Sequence, residues 1–142
     1  MQWIYNDGGR VAAGYKGHTR DCTTRAIAIA TQQSYQTVYD TVNGLGQKER
    51  PRKGSSRKSG ARTGIGIKSI RKYLSSIGWI WTPTMLIGSG CKVHMRESEL
   101  PCGRIIVRVA GHLTCVIDGI VNDTWDCTRN GTACVYGYWS KS

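Results

Sequence analysis

The sequence predicts an α+β protein, with helices in its first half packed on an antiparallel β-sheet formed by its second half. Three observations predict this. Up to Gly78 the apolar residues recur at helical spacing. Beyond Gly78 the apolar runs are short and rich in Val, Ile and Trp, as strands are. Between two of those runs stands Asp118-Gly119, a two-residue hairpin signal. Helices followed by strands, rather than alternating with them, make an α+β layout.

The elements follow in order. Residues 1 to about 20 hold Gly8, Gly9, Gly14 and Gly17 and read as a strand-poor loop. A helix is expected from about 22 to 32, with Asp21 as its N-cap. Ala26–Ala30 (AIAIA) make it apolar on most sides, as a buried central helix would be. Ser34 caps a second helix carrying Tyr35, Val38, Tyr39 and Val42 at i, i+3, i+4, i+7, which Gly44 and Gly46 end. Ile67, Ile70, Tyr73, Leu74 and Ile77 define a third, stopped by Gly78. Strands are expected at Trp79–Trp81, Lys92–Met95, Arg104–Ala110, His112–Ile117, Ile120–Trp125 and Val135–Trp139. A chain of 142 residues suits one domain, residues 1–142, able to bury roughly 70% of its unfolded surface.

Composition narrows the function classes. Phe is absent, so the core rests on aliphatic residues and twelve Trp and Tyr. No apolar run approaches the ~20 residues that span a bilayer, and MQWIYNDGG has no signal-peptide core. The expectation is a soluble cytoplasmic protein without membrane contact. Its six cysteines are then expected as reduced thiols, each by default a small buried apolar residue.

The net charge of +11 is local. Lys48 to Lys72 holds ten Lys or Arg and one Glu, leaving the remainder nearly neutral. The segment from about 48 to 64 reads as an exposed basic loop. Lys48, Arg50, Arg52, Lys53, Arg57, Lys58 and Arg62 are its candidates for contacting a polyanion. The same loop could be a solvated excursion, a lid, or the dock for an acidic protein. No aromatic residue interleaves the charges between Lys48 and Arg62, so base stacking is not expected there. GIGIK lacks the GK[ST] arrangement of a phosphate-binding loop.

The hairpin permits a deduction about chemistry. With Asp118-Gly119 as the turn, Ile117 faces Ile120, Thr114 faces Asp123, and His112 faces Trp125. Equal parity puts His112 and Asp123 on one face, a diagonal step of ~7–8 Å apart. Asp123 can then fix the imidazole tautomer and leave the other nitrogen as a base. A bulge would hand that role to Asn122 or Asp126, and Asp126 otherwise reads as a turn residue. Cys115 falls on the opposite face, in the core. Cys22 heads the buried helix, where the helix dipole, free N–H groups and a nearby imidazolium favour its thiolate. Its own N–H would point at a developing oxyanion.

The order Cys, His, Asp, with the Cys heading a buried helix and the His opening a hairpin, resembles the papain-like cysteine peptidase superfamily. Its small bacterial and phage branches, such as bacteriocin-processing peptidase and NlpC/P60 domains, are similar in scale. DCTTRAIAIAT and GHLTCVIDGIVNDTWD also look like segments of small phage and prophage proteins. The resemblance covers about 30 motif residues and the order of elements. It implies Cys22 as nucleophile, His112 as base and Asp123 as third member. It also implies thiol hydrolase or acyltransferase chemistry on an amide or peptide-type bond of a protein or peptide-like substrate, with no cofactor. The Gln that the family places before the nucleophile is absent, so Lys16, His18, Thr19 or the backbone would serve the oxyanion.

Two other readings stand beside this one. Cys91, His94 and Cys102 give C-x₂-H and a further Cys, while Cys127 and Cys134 are six residues apart; a structural zinc wants four ligands, usually as close pairs, so none is expected. A non-catalytic basic module that binds nucleic acid or an acidic partner through residues 48–72 is the alternative function.

Overall fold

The computed structural model describes residues 1–17, 19–50 and 58–141. The fold is α+β, with three helices and one six-stranded mixed sheet. Helix α1, Cys22–Thr31, is the central one. Its apolar block buries Ala26 to Ala30 between helix α2, Tyr35–Gln47, and the sheet, and a left-handed Gln32 (φ 60°) ends it. Asp21 occupies the N-cap position, but its side chain makes no cap hydrogen bond; it is drawn off to Arg25 and Tyr35 instead. Ser34 does cap α2, accepting from the Thr37 N–H at 3.1 Å.

Helix α2 runs through Gly44 and Gly46 rather than ending at them. Gly46 is needed for close approach: a Cβ there would strike the Ser59 backbone, 2.6 Å from its carbonyl carbon. Helix α3, Ile67–Ser76, buries Ile70 and Leu74 and ends before the left-handed Gly78 (φ 92°). Its N-terminus is satisfied by Glu49, which accepts from the Gly66 N–H at 2.9 Å and the Ser69 hydroxyl at 2.5 Å. The expected exposed loop is shorter than its sequence suggests. Gly60 and Gly64 bridge each other, and Ala61 is 1% exposed, donating to Asn43 and accepting from Thr24. A small apolar residue between glycines lets the chain dock there, so residues 58–64 belong to the packed structure. Arg52, Lys53 and Arg57 lie outside the described residues.

The strands are β1 (Gln2–Tyr5), β2 (Trp79–Pro83), β3 (Arg104–Val109), β4 (His112–Ile117), β5 (Ile120–Asp123) and β6 (Gly137–Lys141), in sheet order β1-β5-β4-β3-β6-β2. The purely antiparallel expectation is corrected at one edge. The N-terminal stretch read as loop contributes β1, which pairs parallel with β5. Trp3, Ile4 and Tyr5 are strand formers, but all four residues are exposed, so no alternating buried face marked them. The last strand lies two residues later than expected. Lys92–Met95 forms only an isolated bridge, His94 with Cys134.

Both faces of the sheet are covered. Ile106, Leu113, Cys115 and Trp139 meet the helices, while Ile105, Val107, Val109, Val116 and Val121 meet Met95, Leu100, Cys127, Ala133 and Val135 from irregular segments. Each fully buried Ile or Val contributes about 1.5–3 kcal/mol. The expectation of six reduced thiols is overturned for two of them: Cys91 and Cys134, Cα atoms 5.8 Å apart, form a disulfide. Cys22, Cys102, Cys115 and Cys127 are free. Among the described residues no helix is long and apolar enough to cross a membrane.

Candidate active site

Three elements end or begin at one edge of the molecule. Cys22 is the first residue of α1, His112 the first of β4, and Asp123 the last of β5. The β4–β5 register follows the deduction from the turn, with Ile117 opposite Ile120, Val116 opposite Val121 and Cys115 opposite Asn122. Asp118 (φ 48°) and Gly119 (φ 81°) both take the left-handed conformation of a type I′ turn. No bulge intervenes before Asp123.

The register brings the imidazole and carboxylate together. His112 Nε2 lies 2.7 Å from Asp123 Oδ2, so an Nε2–H donates to the carboxylate and Nδ1 is left for a thiol. The Cys22 thiol hydrogen-bonds the His112 side chain and also receives the Leu113 backbone N–H. Trp125 flanks the imidazole, ring centroids 4.9 Å apart.

Charge is distributed as a thiolate–imidazolium pair requires. Burial opposes a charged Cys22, but the hydrogen bond and charge of His112, with Leu113 N–H and Arg25, outweigh it and lower the thiol pKa below its ordinary value. Burial likewise disfavours the His112 cation, yet hydrogen bonds with Asp123, Cys127 and Cys22 push its pKa up to about 11. Asp123, despite burial, is held below the usual carboxylate range by His112 and by the Thr124 N–H at 2.7 Å. Cys115, in the helix-side core, is pushed up to about 12 by burial.

Behind the carboxylate stands a second layer that sequence reasoning missed. Arg25 places Nη2 3.3 Å from Asp123 Oδ1 while its Nη1 pairs with Asp21 Oδ1. Asp21, fully buried, also accepts from the Tyr35 hydroxyl at 2.6 Å and lies 3.5 Å from Arg10 Nε. Burial and that carboxylate raise the Tyr35 pKa, keeping its proton in place. A single signal pointed here: an Arg inside an otherwise apolar helix, one turn after Cys22.

Cys127 was also missed. Its Sγ is 3.9 Å from Asp123 Oδ2, and it hydrogen-bonds His112, but it is 2% exposed whereas Cys22 is half-buried. Nitrogen, oxygen and sulfur of His112, Asp123 and Cys127 lie within 4.8 Å of one another, a set chemically able to ligate a thiophilic ion. Ligands sharing a tetrahedral zinc at about 2.0–2.1 Å would be roughly 3.3 Å apart. The 2.7 Å between Nε2 and Oδ2 is a hydrogen bond instead. Cys91 and Cys134 are disulfide-bonded and unavailable as ligands, which removes the zinc groupings built on them; His94 pairs with Glu99 at 3.2 Å.

Other candidates are placed elsewhere. Asn122 donates to the Ile120 carbonyl and accepts from Asn6, so its amide serves the β1 edge. Asp126 accepts from the Thr128 N–H and hydroxyl, making the turn expected of it. The Thr19 hydroxyl donates to the Arg62 carbonyl at 3.2 Å, and Lys16 is exposed with its carbonyl accepting from Arg62. Neither is therefore engaged at the thiol, and His18 lies outside the described residues. Lys48, Arg50, Lys58 and Arg62 are exposed.

A cleft of about 290 Å³ opens beside the imidazole, walled by His112, Trp125, Cys127, Arg129, Ala133 and Tyr136 among others. A larger cavity, about 510 Å³, lies at the opposite end of α1, lined by Thr31, Gln33, Tyr73 and Arg104. It holds no nucleophile, so the smaller cleft is the better candidate for substrate. Comparison with known proteins yields no match: no family model fits the chain, and no curated protein or solved structure is significantly similar to it.

Proposed function

We propose that the chain is a thiol hydrolase or acyltransferase of papain-like architecture, acting on an amide or peptide-type bond. The observation that carries this reading is the assembly of Cys22, His112 and Asp123, with Nε2 committed to the carboxylate and the imidazole shared with the thiol. In this reaction the Cys22 thiolate attacks the carbonyl carbon, and the carbonyl π electrons move onto oxygen. The N–H of Cys22, at the start of α1, is aimed where that oxyanion forms. His112 gives its Nδ1 proton to the departing amine as the C–N bond breaks, leaving a Cys22 thioester and neutral imidazole. Water or an acceptor amine then attacks the thioester, His112 takes its proton, and the thiolate leaves. Asp123 stays ionised throughout and holds the ring in orientation.

Cys22 rather than Cys127 is the nucleophile on this reading, because it is the more accessible thiol and receives the Leu113 N–H. The test is iodoacetamide labelling followed by peptide mass spectrometry across pH, in wild type and His112→Ala. Fast labelling of Cys22 below pH 7 that is lost in the variant supports the pair. Labelling no faster than an ordinary thiol of pKa ~8.5 sinks it. On an identified substrate, normal turnover by Cys22→Ala would do the same.

A further inference from the structure

The cationic segment singled out in the sequence ends in α3, and there it meets an aromatic surface that the catalytic reading does not use. Ile70 and Leu74 turn inward, which leaves Lys68, Arg71, Lys72 and Ser75 exposed on the outer face of α3. Between that face and β2 lies a cleft of about 370 Å³. Its walls are Arg71, Lys72 and Ser75 on one side and Trp79, Ile80, Trp81 and Trp139 on the other. Three of the chain's five tryptophans are gathered here, and none of the lining residues is acidic.

Two details point to a ligand with both a π face and hydrogen-bond acceptors. The Arg71 guanidinium lies over the Trp81 ring, 5.6 Å from its centroid, the kind of cation–aromatic platform on which bases stack. Trp139 is 1% exposed, and its indole N–H has no hydrogen-bond partner. A buried donor left unsatisfied is unusual, and a carbonyl or ring nitrogen of a base would complete it. Trp81 and Trp139 are packed with ring centroids 4.3 Å apart, so the aromatic wall is continuous.

We propose that this cleft, extended by the cationic segment, binds single-stranded nucleic acid. One base stacks on Trp81 beneath Arg71, and Lys72 with the cations upstream follows the phosphates. The cleft suits one unpaired base, which a duplex keeps inside its stack. An acidic polypeptide would meet the charge but leave the indole faces and the orphaned N–H unused. The site is distant in the fold from Cys22, so the inference does not depend on the thiol chemistry.

The test is fluorescence anisotropy of a labelled oligothymidylate of about 20 nucleotides against the full chain, with salt varied. Competitors are the same sequence as duplex and polyglutamate. Two variants are compared, R71Q/K72Q at exposed positions and W81L at the stacking face, each checked for its fold by circular dichroism. Single strand should bind at least about tenfold tighter than duplex, and polyglutamate should not displace it. R71Q/K72Q should lower the slope of log affinity against log salt by about 1.4, from two lost phosphate contacts at ~0.7 each. W81L should weaken binding about 5- to 150-fold. Equal affinity for duplex, displacement by polyglutamate, or an unchanged salt slope in R71Q/K72Q each overturns the proposal. Should W81L fail to fold, the exposed double variant decides alone.

Discussion

Replacing Arg25 with Met keeps the apolar stem and deletes the cation that joins two buried carboxylates. Asp21 is fully buried and Asp123 is 3% exposed. Breaking a buried ion pair by removing one partner costs 3–5 kcal/mol, because the remaining charge is stranded. Here each carboxylate keeps other partners: Tyr35 and Arg10 at Asp21, His112 and Thr124 at Asp123. The lower end, about 3 kcal/mol, therefore applies. For a chain of this size that is a fall in Tm of roughly 6–12 °C. The assay is thermal and urea unfolding of wild type and Arg25→Met at pH 7. Asp123 has its pKa lowered from 3.8, so its paired carboxylate stabilises the fold above that value, and this contribution is lost as pH falls through the folded pKa. The difference between the proteins should accordingly shrink in acid. Because the Arg25 charge also helps lower the Cys22 pKa, labelling of Cys22 near pH 6 should slow in the variant. A loss below about 1 kcal/mol, the range of exposed pairs, would refute the argument that Arg25 holds the site's acid in place.

Three further outcomes follow from the same coordinates. His112, raised from 6.5 to about 11, contributes stability that is complete below pH 6.5 and is lost as pH rises through 11; alkaline melts should show this limb in wild type and not in His112→Ala. Gly137→Ala places a Cβ against the Trp81 ring and 2.8 Å from the Thr82 carbonyl oxygen, so urea denaturation should show a loss of about 1–3 kcal/mol. The Cys91–Cys134 disulfide closes a loop with a sequence separation of 43, which should stabilise by about 4 kcal/mol, so a phosphine reductant should lower the wild-type Tm and leave Cys91→Ser/Cys134→Ser unmoved.

Much of the fold was legible because local rules and tertiary needs agreed. The AIAIA block, the spacing of Ile70 and Leu74, and the Asp118-Gly119 turn each encode an element at short range, and the turn carries the register that joins His112 to Asp123. What was illegible depends on partners far along the chain. Strand β1 exists because β5 offers it an edge. The disulfide needs two irregular segments brought together around the His94–Cys134 bridge, with no spacing to announce it. Asp21 looked like a cap because a cap residue and a buried ion-pair partner share one side chain, and only Arg25 and Tyr35 at hand decide between the roles. Ala61 looked like loop because its pocket is made by Asn43 and Thr24.

The type I′ turn has a consequence for how the protein can vary. Positions 118 and 119 lie at the far end of the hairpin from the chemistry, five strand steps or about 17 Å from His112. Strand side chains alternate faces, so the phase of the whole second strand is set at that point. One added or deleted residue there would swap Asp123 for Asn122 or Thr124 beside the imidazole while leaving the sheet's hydrogen bonds intact. The turn thus acts as a phase lock: side chains along the hairpin can change freely, but its length cannot change by one.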